Sequence, residues 1–242
     1  MDIEMKIAVI ADIHANVTAL RAVLDDIEQQ NIEQIYCVGD LVGYGPFPNE
    51  VIALIRGKNI PTVMGNYDDG IGYMRFICGC DYKDEKAQAL GQESITWTKQ
   101  HTSEENKEFL RNLPVEIRFN VNDQRVLLVH GSPNRLNEYL FEDIPADYAA
   151  DLIESNDADI LICGHTHLSY HRELGCKHLI NVGSVGKPKH GTPQATYVVI
   201  DFSGEVKVEI RKVDYDFETV ARTIEESELP NEFAAIIRAG AY

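Results

Sequence analysis

Short apolar runs alternate with amphipathic stretches through the first third of the chain. Residues 6–11 (KIAVIA) are almost continuously apolar, as in a strand covered on both faces. Asn16 stands where a helix cap belongs, and Val17, Leu20, Leu24 and Ile27 then recur on one helical face. Residues 34–38 predict a second strand, residues 48–56 a short helix, and residues 61–64 a third strand. Strands alternating with helices predict a parallel sheet with crossover connections.

The rhythm breaks at residues 69–113. Residues 69–84 are rich in glycine and aromatics without a clear period. Helices are predicted over about 84–101 and 103–113, the second opened by a capping box of Thr102 and Glu105. This stretch reads as a helical cap inserted over the core. Residues 115–120 and 125–129 flank an Asn122-Asp123 turn and predict a hairpin. A helix is predicted at 146–155 and strands at 159–163 and 178–182. A second hairpin, 195–202 with 205–213, turns at Ser203-Gly204. The stretch from Asp216 predicts acidic, peripheral helix.

Composition narrows the class. The 242 residues are 44% hydrophobic and 25% charged, a globular balance sufficient for one domain with a modest insertion. No apolar run approaches a membrane span, and the acidic start lacks the features of a secretory signal, so the cytoplasm is the expected compartment. Against 22 Lys+Arg stand 39 Asp+Glu, a net charge of −17. Such a surface repels polyanions, so duplex nucleic acid and anionic membranes are not expected partners. An anionic substrate needs a local reversal of that field, which bound metal can supply. The five cysteines include one close pair, Cys78 and Cys80, whose spacing alone carries no site.

Five polar motifs each follow an apolar strand-like run. They are Asp12-Ile13-His14, Gly39-Asp40, Gly65-Asn66, His130-Gly131 and Gly164-His165-Thr166-His167. Ligand sites in open α/β sheets form beyond the carboxyl ends of strands, so these motifs are expected to converge. Asp12 and His14, and likewise His165 and His167, should share one side of an extended segment. Imidazole with carboxylate suits manganese, iron, zinc, cobalt or nickel. The carboxylate of Asp40 can bridge two cations, and Asn66 offers a neutral oxygen. Each motif alone is an ordinary turn or surface histidine; five at strand ends predict a dinuclear site.

In order and spacing these motifs resemble the calcineurin-like metallophosphoesterases, from about Met5 to Val213. The stretches at 39–46 (GDLVGYGP) and 181–188 (NVGSVGKP) resemble its small bacterial and archaeal phosphodiesterase branch. The resemblance implies an α/β (α+β) fold, a four-layer αββα sandwich of two mixed sheets flanked by helices. The whole chain, 1–242, would be one domain with the small inserted helical cap at 69–113. It further implies that Asp12, His14, Asp40 and His167 hold a first divalent metal, and Asp40, Asn66, His130 and His165 a second. Manganese is expected first, with iron, zinc, nickel, cobalt or magnesium as alternatives. Asp40, Asn66, Tyr67 and His130 would be the catalytic residues. A metal-bridging hydroxide would attack a small phosphate ester in line.

One position departs from the family. Its Gly-Asn-His motif supplies a histidine thought to protonate the leaving group, and Tyr67 stands there instead. A phenol of ordinary pKa ~10 is a poor proton shuttle at neutral pH, so Tyr67 is read as packing over the site or lining the pocket. Lys187 and Lys189 either meet phosphate or lie in a solvated loop, and His190 is an alternative proton source. Tyr44, Phe47, Tyr73 and Phe76 either stack on a nucleobase or form a small core under the cap. Alternatives to a phosphodiesterase are a phosphomonoesterase or protein phosphatase, or a catalytically weak protein-binding scaffold. The oligomeric state is left open.

Overall fold

The computed structural model describes residues 6–79 and 84–241. Its strands are β1 (Lys6–Ile10), β2 (Gln34–Cys37), β3 (Glu116–Val121), β4 (Gln124–Val129), β5 (Ile160–Cys163), β6 (Ser169–Leu174), β7 (Lys177–Val182), β8 (Ala195–Asp201) and β9 (Lys207–Val213). Its helices are α1 (Val17–Gln29), α2 (Pro48–Gly57), α3 (Asn66–Gly72), α4 (Glu85–His101), α5 (Glu104–Arg111), α6 (Ala146–Ser155), α7 (Phe217–Glu225) and α8 (Asn231–Ala239).

Two mixed sheets result, one ordered β2-β1-β8-β9 and the other β3-β4-β5-β7-β6. Within the first, β1 runs parallel to β2; within the second, β5 runs parallel to β4 and β7. Alternate side chains set the layers. Ile7, Val9, Val126, Ile160, Ile180 and Val198 form an apolar layer between the sheets. The opposite parity of β1, Ala8 and Ile10, packs with α1, α2, α7 and α8. The opposite parity of the second sheet, Leu127, Leu161 and Leu179, packs on Ala149, Leu152 and Ile153 of α6. Helices, sheet, sheet and helix give the four-layer αββα sandwich. Among the described residues no helix is long and apolar enough to cross a membrane.

Several local expectations change. Residues 61–64 make a single parallel bridge, Cys37 with Thr62, rather than a strand. Cys37 N donates to Pro61 O at 2.9 Å and Val63 N to Cys37 O at 3.0 Å, but Met64 N then turns to Pro114 O. The cap of α5 is Ser103, whose hydroxyl accepts from Asn106 N at 3.2 Å. Thr102 instead donates to Thr98 O at 2.7 Å, closing α4. Beyond Asp216 the chain is not peripheral: Val220, Ile224, Phe233 and Ile237 are buried in the core cluster of α1 and α2. Ile95, Trp97 and Leu110, from the 69–113 stretch, join that same cluster.

Candidate metal centre

The carboxyl ends of parallel strands from both sheets point at one place. Asp12 follows β1, Asp40 follows β2, and Asn66 opens α3; His130 follows β4, and His165 and His167 follow β5. Backbone bonds lace these loops: Asp12 N to Gly39 O at 2.9 Å, His14 N to Asp40 O at 3.0 Å, and Gly164 N to His130 O at 2.9 Å. Asp12 Oδ2 accepts from His165 N at 2.9 Å, tying the two sheets together.

The loops are not extended, contrary to the sequence expectation. Asp12, His14, Asp40, His165 and His167 have φ between 47° and 65°. Non-glycine residues in the left-handed region carry a strain of order 1–3 kcal/mol each and persist only where surroundings over-determine them. The turn at each motif aims its side chains where an extended segment would not. His165 and His167 consequently point into different clusters. Glycine is required beside them: a Cβ on Gly65 would lie 2.1 Å from Asp40 Oδ1.

Two groups of donors form. In the first, Asp12 Oδ1 is 3.3 Å from His167 Nε2 and 3.7 Å from His14 Nε2. His14 Nδ1 donates to Val42 O at 3.0 Å and His167 Nδ1 to Lys187 O at 2.6 Å. Those carbonyls fix the tautomers, so both Nε2 atoms carry lone pairs, and these face one another at 3.2 Å. In the second group, His130 Nδ1 donates to Val38 O at 2.8 Å. Its Nε2 lone pair meets His165 Nδ1 at 3.2 Å and Asn66 Oδ1 at 2.9 Å. Asn66 Nδ2 donates to Cys78 O at 3.1 Å, which turns the amide oxygen inward. Asp40 Oδ2 stands between the groups, 3.7 Å from His14 Nε2 and 3.5 Å from His130 Nε2.

The electrostatics suit a cation. Burial pushes His14, His165 and His167 well below the usual imidazole pKa, so they are neutral donors near pH 7. Burial pushes Asp12 up to about 7. Burial, and then the neighbouring Asp68, push Asp40 well above the carboxylate range. Asp12 Oδ1 and His165 Nε2 are buried with no hydrogen-bond partner among the described residues. Facing lone pairs, buried carboxylates and orphaned acceptors are what a divalent pair would relieve, so the donor set fits it.

The supporting residues were less legible. Asp68, fully buried, accepts from Asp40 N at 2.8 Å, Leu41 N at 2.9 Å and Gly65 N at 2.9 Å, and so holds the Asp40 loop. Its place in the Gly65–Asp68 tetrad was the only signal. Ser184 Oγ donates to Asp12 O at 2.7 Å. Tyr139, unremarked in the sequence, lies over His165 with centroids 4.1 Å apart.

Other nominated residues separate clearly. Tyr67 is 1% exposed, edge-on to His14 at 5.4 Å, and its backbone N donates to Asp40 Oδ1 at 2.8 Å. Lys187 is buried, with Nζ 4.2 Å from the Tyr44 ring centroid, whereas Lys189 is only partly buried and the loop beyond it is exposed at Gly191 and Thr192. His190 is engaged by Gln194 O and Thr192 Oγ1 within its own loop. Tyr44 touches His14, whereas Tyr73 and Phe76 are exposed and Phe47 packs on the core. Cys78 is buried, and Cys80 lies outside the described residues. A cleft of about 750 Å³ opens above the centre, with His14, Asp40, Asn66, Tyr67, His165 and His167 on its floor.

Residues 5–205 match the calcineurin-like phosphoesterase superfamily domain. An uncharacterised protein of Methanocaldococcus jannaschii is 36% identical over 245 residues, covering 94% of this chain and 95% of its own. Phosphodiesterase YfcE of Escherichia coli K12 is 28% identical over 200 residues, covering 81% of this chain and 88% of its own. The crystal structure of a metallophosphoesterase from Sphaerobacter thermophilus aligns with a TM-score of 0.77 and 29% identity, over 98% of this chain and 99% of that one.

Proposed function

The chain belongs to the calcineurin-like phosphoesterase superfamily and is a metal-dependent phosphoester hydrolase, and from that premise we propose a dinuclear phosphodiesterase of small phosphate esters. The observation that carries this reading is the confrontation of acceptors in two groups, His14 Nε2 with His167 Nε2 and His130 Nε2 with Asn66 Oδ1, with Asp40 between them. Asp12, His14, Asp40 and His167 would hold one divalent ion, and Asp40, Asn66, His130 and His165 the other. Manganese is the ion we propose first. When bound, the pair would neutralise phosphate charge and activate water for attack on phosphorus near neutral pH.

The chain's own part is positional. The carbonyls of Val38, Val42 and Lys187 hold three imidazoles in the ligand tautomer. Tyr67 N engages one oxygen of Asp40 and leaves the other facing both groups. Water adds to phosphorus, one ester P–O bond breaks, and the leaving oxygen takes its proton from solvent. Tyr67 lines the floor rather than serving as acid, so leaving groups that need little protonation should be favoured. Asn66 and His130 would help hold the second ion, which would supply charge neutralisation at the phosphoryl group. The chain acts as one domain, with residues 69–113 as its cap, and the cytoplasm is the proposed compartment. A net charge of −17 disfavours duplex nucleic acid as substrate. The complete donor set weighs against a scaffold that has lost catalysis.

The test is a metal-supplemented screen of chelated protein with an aryl diester, an aryl monoester, cyclic nucleotides and dinucleoside polyphosphates. Manganese-dependent hydrolysis, fastest on the aryl diester, is expected. Loaded protein that hydrolyses none of these esters would refute the reading.

A further inference from the structure

We propose that the cleft above the metal centre is a binding site for the large apolar group of a phosphate ester, walled by a helix outside the family-matched span; this rests on the phosphoesterase reading above. The family match ends at residue 205, and α8 covers Asn231–Ala239. Yet α8 reaches the centre through a continuous ring chain. Phe233 lies edge-on to Tyr44 at 5.3 Å, and Tyr44 edge-on to His14 at 4.9 Å. At the rim, Glu232 of α8 pairs with Lys86 of α4 at 3.3 Å, joining the cap to the C-terminal helix.

The walls are apolar where the floor is charged. Leu90 comes from α4, Phe233 and Ile236 from α8, and Tyr139, Phe141 and Leu168 from loops of the second sheet. Phe141 is 43% exposed and Leu168 37%, so apolar side chains remain open to whatever enters. Lys187 marks the boundary, its ammonium over the Tyr44 ring. An ester therefore has an anionic end for the floor and an organic end for the walls. The cleft's volume of about 750 Å³ suits a sizeable organic group and far exceeds a bare phosphate or methyl ester.

The occupant is apolar rather than a nucleobase. Among the described residues, apart from the floor and the lysines, the polar side chains lining the cleft are Tyr44, Tyr139, Asp84, Thr166 and Glu232. Glu232 is paired at the rim, and Thr166 Oγ1 donates to Leu168 O at 3.2 Å. Among the described residues no asparagine or glutamine other than Asn66 lines the cleft, and Asn66 already faces His130. The walls thus offer no amide that could pair bidentately with the edge of a base, whereas an apolar group needs no such partner.

Calorimetry on manganese-loaded protein should compare naphthylmethylphosphonate with methylphosphonate, whose identical anionic ends cancel. The naphthyl compound should bind roughly 10- to 100-fold tighter, the range one buried apolar group gives. A negative heat-capacity change should accompany it. Phe141→Ser and Leu168→Ser, at exposed positions that do not threaten the fold, should pull the ratio most of the way to one; Phe233→Leu should lower it less. Equal binding of the two phosphonates overturns this proposal while leaving the phosphoesterase reading intact. Failure of both to bind overturns that reading and this proposal with it. A nucleoside phosphonate that binds as tightly as the naphthyl compound overturns the apolar assignment.

Discussion

Among the described residues two regions present histidines and a carboxylate with donor atoms within 4.8 Å, and one of them resembles a metal centre. On the β6–β7 hairpin, Glu173 stands opposite His178 in the register, with His171 two residues before Glu173 on β6. There His171 Nε2 lies 2.9 Å from His178 Nδ1, with ring planes 19° apart. One neutral ring donates and the other accepts, so the pair satisfies itself. The rings are half-buried, Glu173 is exposed, and the backbone is ordinary strand. At the strand ends, by contrast, Val38, Val42 and Lys187 each occupy one nitrogen of a ring, so His14 Nε2 meets His167 Nε2, and His130 Nε2 meets Asn66 Oδ1, as acceptors. Proximity of donors is therefore a weak sign of a metal. Denial of any other partner is the stronger one.

The largest expected effect comes from Asp40→Asn. It removes the one carboxylate oxygen facing both groups. Activity should fall by more than the roughly 10²–10³-fold that loss of a single charge-stabilising donor costs. Metal content by elemental analysis should fall with it.

Asp68→Asn should come next. The amide leaves at least one of three backbone N–H groups without an acceptor, at about 1–3 kcal/mol each. Melting temperature should drop, and metal affinity should weaken by roughly 10–100-fold, as loss of a ligand's support does.

Tyr67→Phe should cost under about tenfold on activated diesters, whereas a working general acid contributes about 10²–10⁴. A leaving-group series on both proteins measures this. A loss confined to poor leaving groups, with metal content unchanged, would make Tyr67 the acid.

The smallest effects lie at the other end of the strands. His178→Ala should leave metal content and kcat/KM unchanged, since its ring serves only its partner. Asp159, before β5, is held down to about 2 by its hydrogen bonds to Arg125. A depressed folded pKa contributes stability above the unfolded value of about 4 that disappears as pH falls toward 2. Arg125→Gln should flatten that part of the stability profile in denaturant titrations.

Much of this was legible in the chain. Apolar runs ending in Asp, Asn or His marked the strand ends, and two-residue turns such as Asn122-Asp123 fixed the hairpins. What stayed hidden depends on distant contacts. Helix α3 contains Gly70 and Gly72 and has little intrinsic helical preference; burial of Tyr67, Asp68 and Ile71 holds it. Strand β6 (SYHREL) is a half-exposed edge with no apolar run to announce it. The service of Asp68 to the Asp40 loop spans 28 residues, and no local pattern encodes it. The stretch from Asp216 read as acidic and peripheral because its charge is local, whereas the burial of Phe233 and Ile237 depends on distant elements.

The most direct test of the central claim is a manganese titration of chelated protein by calorimetry, run on wild type and on two double variants. Wild type should take two equivalents, and His14→Ala/His165→Ala should lose both. His171→Ala/His178→Ala should retain both. Equivalents that survive the first pair of substitutions and vanish with the second would place the metals on the hairpin and contradict the account.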